Sequence, residues 1–236
     1  MVEGPSLVSQ AFVNGWEIEA MFLAAGTVPE ALVVPRGLAA SDVSVHELAP
    51  GVMERVTSTE TAPPIVATVR IRTATLESLR NATFVLVGDV IGDPGNAGTM
   101  LRSAEAAGAD AVVFTRESVD VFNPKVVRSS AGALFTVPVV VDADLGDVLR
   151  VDTLRSFGSS SHPEATGGIS YLAADFVLPT MLVVGNEARG LRGDTPVGAW
   201  VTIPHAGRAE SLNVAMAATV LVFEVARQRS SAAGSL

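Results

Sequence analysis

Three short segments hold the side chains that can do chemistry. The first is Gly92-Asp93-Pro94-Gly95-Asn96-Ala97-Gly98-Thr99-Met100-Leu101-Arg102. It follows an apolar run and opens a helical pattern, and a glycine loop ahead of a helix N-terminus can hold an anion. It is neither a Walker loop nor the dinucleotide fingerprint, so by shape alone it also reads as a tight strand-to-helix turn. Ala97, Met100, Leu101, Ala104 and Ala107 form the inward stripe of that helix, with Gly108 placed to end it. Arg102 lies off the stripe, where it can face a cleft. The second segment, Val184-Gly185-Asn186-Glu187-Ala188-Arg189-Gly190-Leu191, again follows an apolar run. Ligands of open α/β sheets bind outside the carboxyl ends of the strands, and Glu187 is expected there; the plainer alternative is a solvated acid in the first turn of a helix. The third runs Ile203-Pro204-His205-Ala206-Gly207-Arg208-Ala209-Glu210-Ser211-Leu212-Asn213. It reads as a strand end, a flexible turn and a helix start capped by Ser211. Asn213 opens an otherwise apolar helix, and a polar side chain buried there must find partners.

The elements that must position these segments follow from the apolar pattern. Phe84 to Val87, Ala111 to Phe114, Val137 to Val141 and Met181 to Val184 are continuous apolar runs, as expected of strands buried on both faces. Helical patterns separate them over Thr99–Ala107, Lys125–Leu134 and Leu145–Leu154, which predicts an α/β domain with a parallel sheet. The last helix is expected over Ser211–Gln228, with almost no polar face, so it should be buried in the core or against a partner. Before Thr83 the chain alternates shorter pieces. A helix starts after Pro5 and Ser6, strands are expected at Ala20–Leu23 and Leu32–Val34, a loop at Thr59–Pro64 and a linker between Val69 and Arg80. The domain boundary is therefore set at 1–75 and 76–236.

Bulk properties narrow the function. The chain has 236 residues, 48% hydrophobic and 17% charged, which suits a globular protein with a real core. The most apolar run, Val214 to Ala226, is too short to span a bilayer and contains Glu224. The basic start and apolar stretch of a signal peptide are missing, and there is no cysteine for a disulfide or thiolate site. These features fit a cytoplasmic protein. His46, His162 and His205 have no metal-ligand spacing, and Ser159-Ser160-Ser161 reads as loop. The net charge of −9 argues against nucleic acid, yet Arg102, Arg128, Arg189, Arg192 and Arg208 all fall in loop-like or helix-start segments, where arginine can grip phosphate with two hydrogen bonds.

In order and spacing the three segments resemble the three motifs of the SpoU (TrmH-like) family of RNA 2′-O-methyltransferases, within the SPOUT superfamily. Asn123 to Phe135 is similar to the family's stretch between its first and second motifs, and the resemblance covers roughly residues 83–229. Residues 1–75 resemble the family's small α/β RNA substrate-binding domain. They begin late relative to it, at Val2-Glu3-Gly4-Pro5, so a truncated N-terminus is expected. The resemblance implies a parallel-sheet methyltransferase domain whose C-terminal part forms a trefoil knot, a topology that sequence reasoning would never reach by itself. It also implies a homodimer, with S-adenosylmethionine as cofactor and no metal. By resemblance, Gly185, Ile203 and Leu212 hold the cofactor, and Asn96, Glu187, Ser211 and Asn213 organise the site. Arg102 meets the 2′-hydroxyl and is the family's proposed base. Arginine is a poor base, so an RNA phosphate can accept the proton instead. Ribosomal RNA is favoured over transfer RNA as substrate. The rivals are an RNA-binding member without activity, a base-methylating relative and an unrelated nucleotide-binding enzyme.

Overall fold

The computed structural model describes residues 1–28, 36–39, 42–208 and 210–234. The first part of the chain runs β1 (Val2–Glu3), α1 (Pro5–Val13), β2 (Ile18–Leu23), α2 (Arg36–Ala39), β3 (Ser44–Glu47), α3 (Met53–Val56) and β4 (Ile65–Val69). These strands form a four-stranded mixed sheet in the order β1-β4-β2-β3. α1 begins at Pro5, where the fixed φ suits a helix start and the missing N–H costs nothing. The strand expected at Leu32–Val34 lies outside the described residues.

The rest of the chain runs β5 (Phe84–Gly88), α4 (Pro94–Ala106), β6 (Ala111–Thr115), α5 (Pro124–Ser129), β7 (Val139–Ala143), α6 (Leu145–Leu149), β8 (Arg155–Ser159), α7 (Pro163–Thr166), β9 (Ile169–Ser170), β10 (Thr180–Val184), β11 (Ala199–Thr202) and α8 (Val214–Ala232). The strands make a seven-stranded sheet, all parallel, in the order β7-β6-β5-β10-β8-β11-β9. β5, β6 and β10 are buried along their whole length, as their unbroken apolar runs require. α4 buries Ala97, Met100, Leu101 and Ala104 as the stripe predicts, and Gly108 ends it at φ 76°. Gly98 lets α4 approach α5 closely, since a Cβ there would stand 2.8 Å from the Ser130 nitrogen.

Several expectations need correction. The helix expected over Lys125–Leu134 stops at Ser129, because Ala131 and Gly132 take positive φ and a 3₁₀ turn follows over Ala133–Phe135. The one expected over Leu145–Leu154 stops at Leu149. α8 begins at Val214, later than Ser211, and its cap is Asn213, whose Oδ1 accepts from the Ala215 and Met216 N–H groups at 2.9 and 3.3 Å. Only one face of α8 is buried. Ala215, Ala218, Leu221, Val222 and Val225 point into the core, while Met216, Val220 and Phe223 are exposed.

The two sheets share one apolar core that includes Val8 and Trp16 on one side and Leu134 and Phe135 on the other. Trp16 packs edge-on against Phe135 at 5.3 Å and donates from Nε1 to its carbonyl at 3.0 Å. Arg128, read from sequence as a possible phosphate contact, is tied into this junction. Its guanidinium meets the buried Glu3 carboxylate at 3.2 Å and also donates to the Ser58 hydroxyl.

Candidate active site

A cleft of about 260 Å³ opens at the carboxyl ends of β8, β10 and β11. Its walls are Ser159–His162 after β8, Gly185–Leu191 after β10, and the segment from Ile203 to Leu212 that leads into α8. Gly185, Ile203 and Leu212 all line it, as do Glu187 and Ser211. Asn96, Asn213 and Arg102 do not. Asn96 and Asn213 stand directly behind the wall, bonded to it through Glu187 and to each other. Arg102 is exposed on α4, six residues beyond Asn96, which at 1.5 Å per residue is about 9 Å along the axis. It makes no hydrogen bond or ion pair among the described residues.

Glu187 lies in a turn, not at the start of a helix. Asn186 Oδ1 accepts from the Ala188 and Arg189 N–H groups at 3.0 and 3.2 Å, and Gly190 closes the turn on the Asn186 carbonyl at 2.8 Å. That leaves the Glu187 carboxylate free to reach across to α4. It accepts from Gly92 N at 3.2 Å, Asp93 N at 3.0 Å and Asn96 Nδ2 at 3.0 Å, and Asn186 Nδ2 donates to it at 3.3 Å. An ionised carboxylate can only accept, so the direction of every bond beyond it follows. Asn96 must turn its NH₂ to Glu187 and its Oδ1 outward. Asn213 must then donate to Asn96 Oδ1, at 3.0 Å, which leaves its own Oδ1 for the α8 N–H groups. One carboxylate thus fixes the orientation of side chains from all three motif segments.

Partial burial pushes the Glu187 carboxyl up, but the hydrogen bonds from Asn96 and the backbone N–H groups outweigh it and hold it below the ordinary glutamate range. The Glu187 carboxylate, held ionised by four donors, is suited to anchoring the surrounding loops more than to shuttling a proton. Because its folded-state affinity for protons is lowered, its contribution to stability is present above the ordinary glutamate range and is lost as pH falls through its depressed value. Glu187→Gln would set an NH₂ against two donors whichever way the amide turned, Asp93 N and Asn96 Nδ2 on one side or Gly92 N and Asn186 Nδ2 on the other. The exposed position discounts the lost bonds to about 1 kcal/mol, or roughly 2–4 °C in Tm for a chain of this size. Thermal melts of wild type and variant from neutral pH downward check this, and the gap should close in acid; a gap independent of pH would contradict the assignment.

Sequence reasoning missed the β8 side of the cleft. Ser159, Ser160 and Ser161 read as plain loop and His162 as a histidine without metal-ligand spacing, yet they form one wall. Their signal was weak because β8, Arg155-Ser156-Phe157-Gly158-Ser159, has no apolar run. His205 also lines the cleft, and its Nδ1 donates to the Ile203 carbonyl at 2.6 Å, since a carbonyl can only accept. Arg189 is the one arginine on the walls, against Glu187 and Glu210. With apolar Leu191, Val201 and Leu212 beside them, this suits a nucleoside carrying a cationic centre better than a triphosphate, which needs clustered positive charge. Among the described residues, no group of three or more His, Asp or Glu is placed to hold a metal ion, and no helix is long and apolar enough to cross a membrane.

Comparison with known proteins gives the same picture. The model of the SpoU rRNA Methylase family matches residues 83–223. A 23S rRNA (uridine(2479)-2′-O)-methyltransferase of Streptomyces viridochromogenes is 36% identical over 192 residues, covering 76% of this chain and 65% of that protein. The 23S rRNA (guanosine(2553)-2′-O)-methyltransferase RlmP of Bacillus subtilis is 34% identical and covers 95% of this chain and 87% of its own. Among solved structures, the SpoU methyltransferase AviRb from Streptomyces viridochromogenes in complex with the cofactor AdoMet superposes with a TM-score of 0.82 at 31% identity. That match covers 98% of this chain and 90% of that one.

Proposed function

The chain belongs to the SpoU rRNA methylase family, and from that membership we propose that it transfers a methyl group from S-adenosylmethionine to a ribose 2′-hydroxyl of ribosomal RNA. The observation that carries this is the cleft itself, in which Gly185 after β10 and Ile203 and Leu212 at the two ends of the β11–α8 segment converge in front of the Glu187–Asn96–Asn213 relay. When bound, the cofactor supplies a methyl on a sulfonium, already activated and needing no Lewis acid. Gly185, Ile203 and Leu212 hold it through backbone groups. Glu187, Asn96, Ser211 and Asn213 fix the loops around it, and Arg102 meets the ribose hydroxyl and an adjacent phosphate, which takes the proton. Alignment of this kind is the main service an enzyme can give such a displacement. Ribosomal RNA is preferred to transfer RNA because relatives 36% and 34% identical to this chain are named for 23S rRNA. A ribosomal RNA substrate supports a cytoplasmic location.

Calorimetry should show S-adenosylmethionine and its demethylated product binding without added metal. Mapping of 2′-O-methyl groups across total RNA, with and without the gene, should lose one ribosomal position. Binding of NAD or ATP with no response to S-adenosylmethionine would overturn the reading.

Three finer features belong to the same proposal. Residues 1–75 serve substrate recognition and residues 76–236 methyl transfer. The chain past Gly190 threads to form a trefoil knot; the placing of β11 between β8 and β9 supports this. The protein is a homodimer through the exposed face of α8. Met216, Val220 and Phe223, spaced four and three residues apart, leave 63%, 36% and 47% of their surface open, an apolar stripe that a second copy would cover. Because Phe223 is outside the core, Phe223→Asp should give a folded monomer with near-native melting, read by light scattering. A wild-type monomer at micromolar concentration would remove the dimer.

A further inference from the structure

Arginine supplies nearly all the positive charge of this chain, and the structure shows where it is spent. Eight arginines are locked in ion pairs with Asp or Glu, among them Arg70 with Glu17 and Glu19, and Arg192 with Asp194 through two bonds. Arg229 spends its guanidinium on the Phe176, Thr83 and Leu178 carbonyls. Arg55 donates to the Gly51 carbonyl, and Arg72 lies over the Trp16 ring at 5.3 Å. Among arginines whose side chains are described, that leaves Arg102, Arg189 and Arg208, each exposed and with a guanidinium that makes no hydrogen bond or ion pair to another described residue. Each comes from one of the three motif segments. Arg189 is on the cleft wall, and Arg208 stands between His205 and Glu210, both of which line it. By contrast, residues 1–75 carry eight Asp and Glu against four Arg, so the small sheet has no surplus charge to offer a phosphate.

We propose that Arg189 and Arg208 are the phosphate contacts that seat the RNA strand across the cleft mouth. This rests on the methyltransferase reading and adds two binding residues to Arg102. An arginine paired with a carboxylate has its charge cancelled locally, whereas these two present an uncancelled fork that suits a phosphate. The cleft's own carboxylates do not remove this charge. Glu187 is engaged with α4, and Glu210 has no bond to either arginine. On a chain of net charge −9, a strand is drawn to the few places where positive charge is uncancelled. The small sheet then recognises shape or bases, not backbone charge.

The test is binding of purified 23S rRNA to the full chain, measured by filter retention over a series of KCl concentrations. Removing one phosphate-binding side chain lowers the slope of log affinity against log salt by about 1. Arg189→Gln and Arg208→Gln should each weaken binding by roughly 3–10-fold at low salt and lower the slope by about 1. The double variant should lower it by about 2, and lysine at either position should restore most of the slope. Arg192→Gln and Arg70→Gln, whose charges are already cancelled, should leave it unchanged. All four exposed side chains can change without disturbing the core. A wild-type slope in the double variant, or an equal drop in the Arg70 and Arg192 variants, overturns the proposal. Transfer of labelled methyl from S-adenosylmethionine to the same RNA by wild type is scored separately. Its absence would tell against the catalytic reading, while the salt slope still decides the two arginines.

Discussion

Arg102→Ala should cut methyl transfer by about 10²-fold or more, the usual scale for losing a group that serves proton transfer, while S-adenosylmethionine affinity stays within a few-fold. The split follows from where the residue stands. Arg102 is on the solvent side of α4, away from the cleft walls that Gly185, Ile203 and Leu212 help to build. The neighbouring Ser103 is turned inward, sharing a 2.7 Å hydrogen bond with Thr219 of α8. Removing the Arg102 side chain therefore breaks no hydrogen bond or ion pair among the described residues. Arg102→Lys separates two roles. Lysine keeps the charge but loses the planar fork. If the residue only draws in phosphate, lysine should restore much of the rate; if it must hold hydroxyl and phosphate together, lysine should fail nearly as badly as alanine. The measurement is single-turnover transfer of labelled methyl at saturating RNA, with thermal melts to confirm folding. A folded Arg102→Ala protein working at the wild-type rate would take this residue out of the mechanism.

The second large effect is expected at Gly185. A Cβ built there would press on the backbone of Gly190 and Leu191, 2.5 Å from the Gly190 carbonyl oxygen, and none of the atoms it meets belongs to a flexible side chain. Overpacking that only backbone can relieve costs about 3 kcal/mol, which is about 10²-fold in an equilibrium constant. Since Gly185 and the Gly190–Leu191 crossing form one wall, Gly185→Ala should lose that much cofactor affinity with β10 still intact. Gly190 provides the control. It sits at φ 65° with nothing within 4 Å of a Cβ, and asparagine tolerates that conformation. Gly190→Asn should therefore bind nearly as well as wild type by calorimetry. Native affinity in Gly185→Ala would show that the wall is not needed.

Most of the larger sheet was legible because its central strands are buried on both faces and so read as unbroken apolar runs. β8 escaped because its one large apolar residue, Phe157, sits among small and polar ones. Gly158 is there since Leu191 and Trp200 pack at 3.0 Å from where a Cβ would be, a tertiary reason that no local pattern carries. The same holds for the cap of α8. Ser211 and Asn213 are both good caps by type, and the choice of Asn213 follows from a partner, Asn96, that lies 117 residues earlier. Which arginines are free was also hidden. Arg128 and Arg208 look alike in the sequence, and only the fold brings Glu3 to one of them.

The relay from Glu187 through Asn96 to Asn213 spans 91 and then 117 residues of sequence. Contacts that distant form late, after the loop-closure entropy of the intervening chain has been met. The last of the three side chains caps α8, so the cleft stays incomplete until α8 has docked. Any ligand that needs the finished cleft binds only the native chain, and it stabilises that chain by mass action. Cofactor occupancy is thus a signal that folding has reached its last long-range contacts, and a copy in which α8 has not docked lacks the finished cleft.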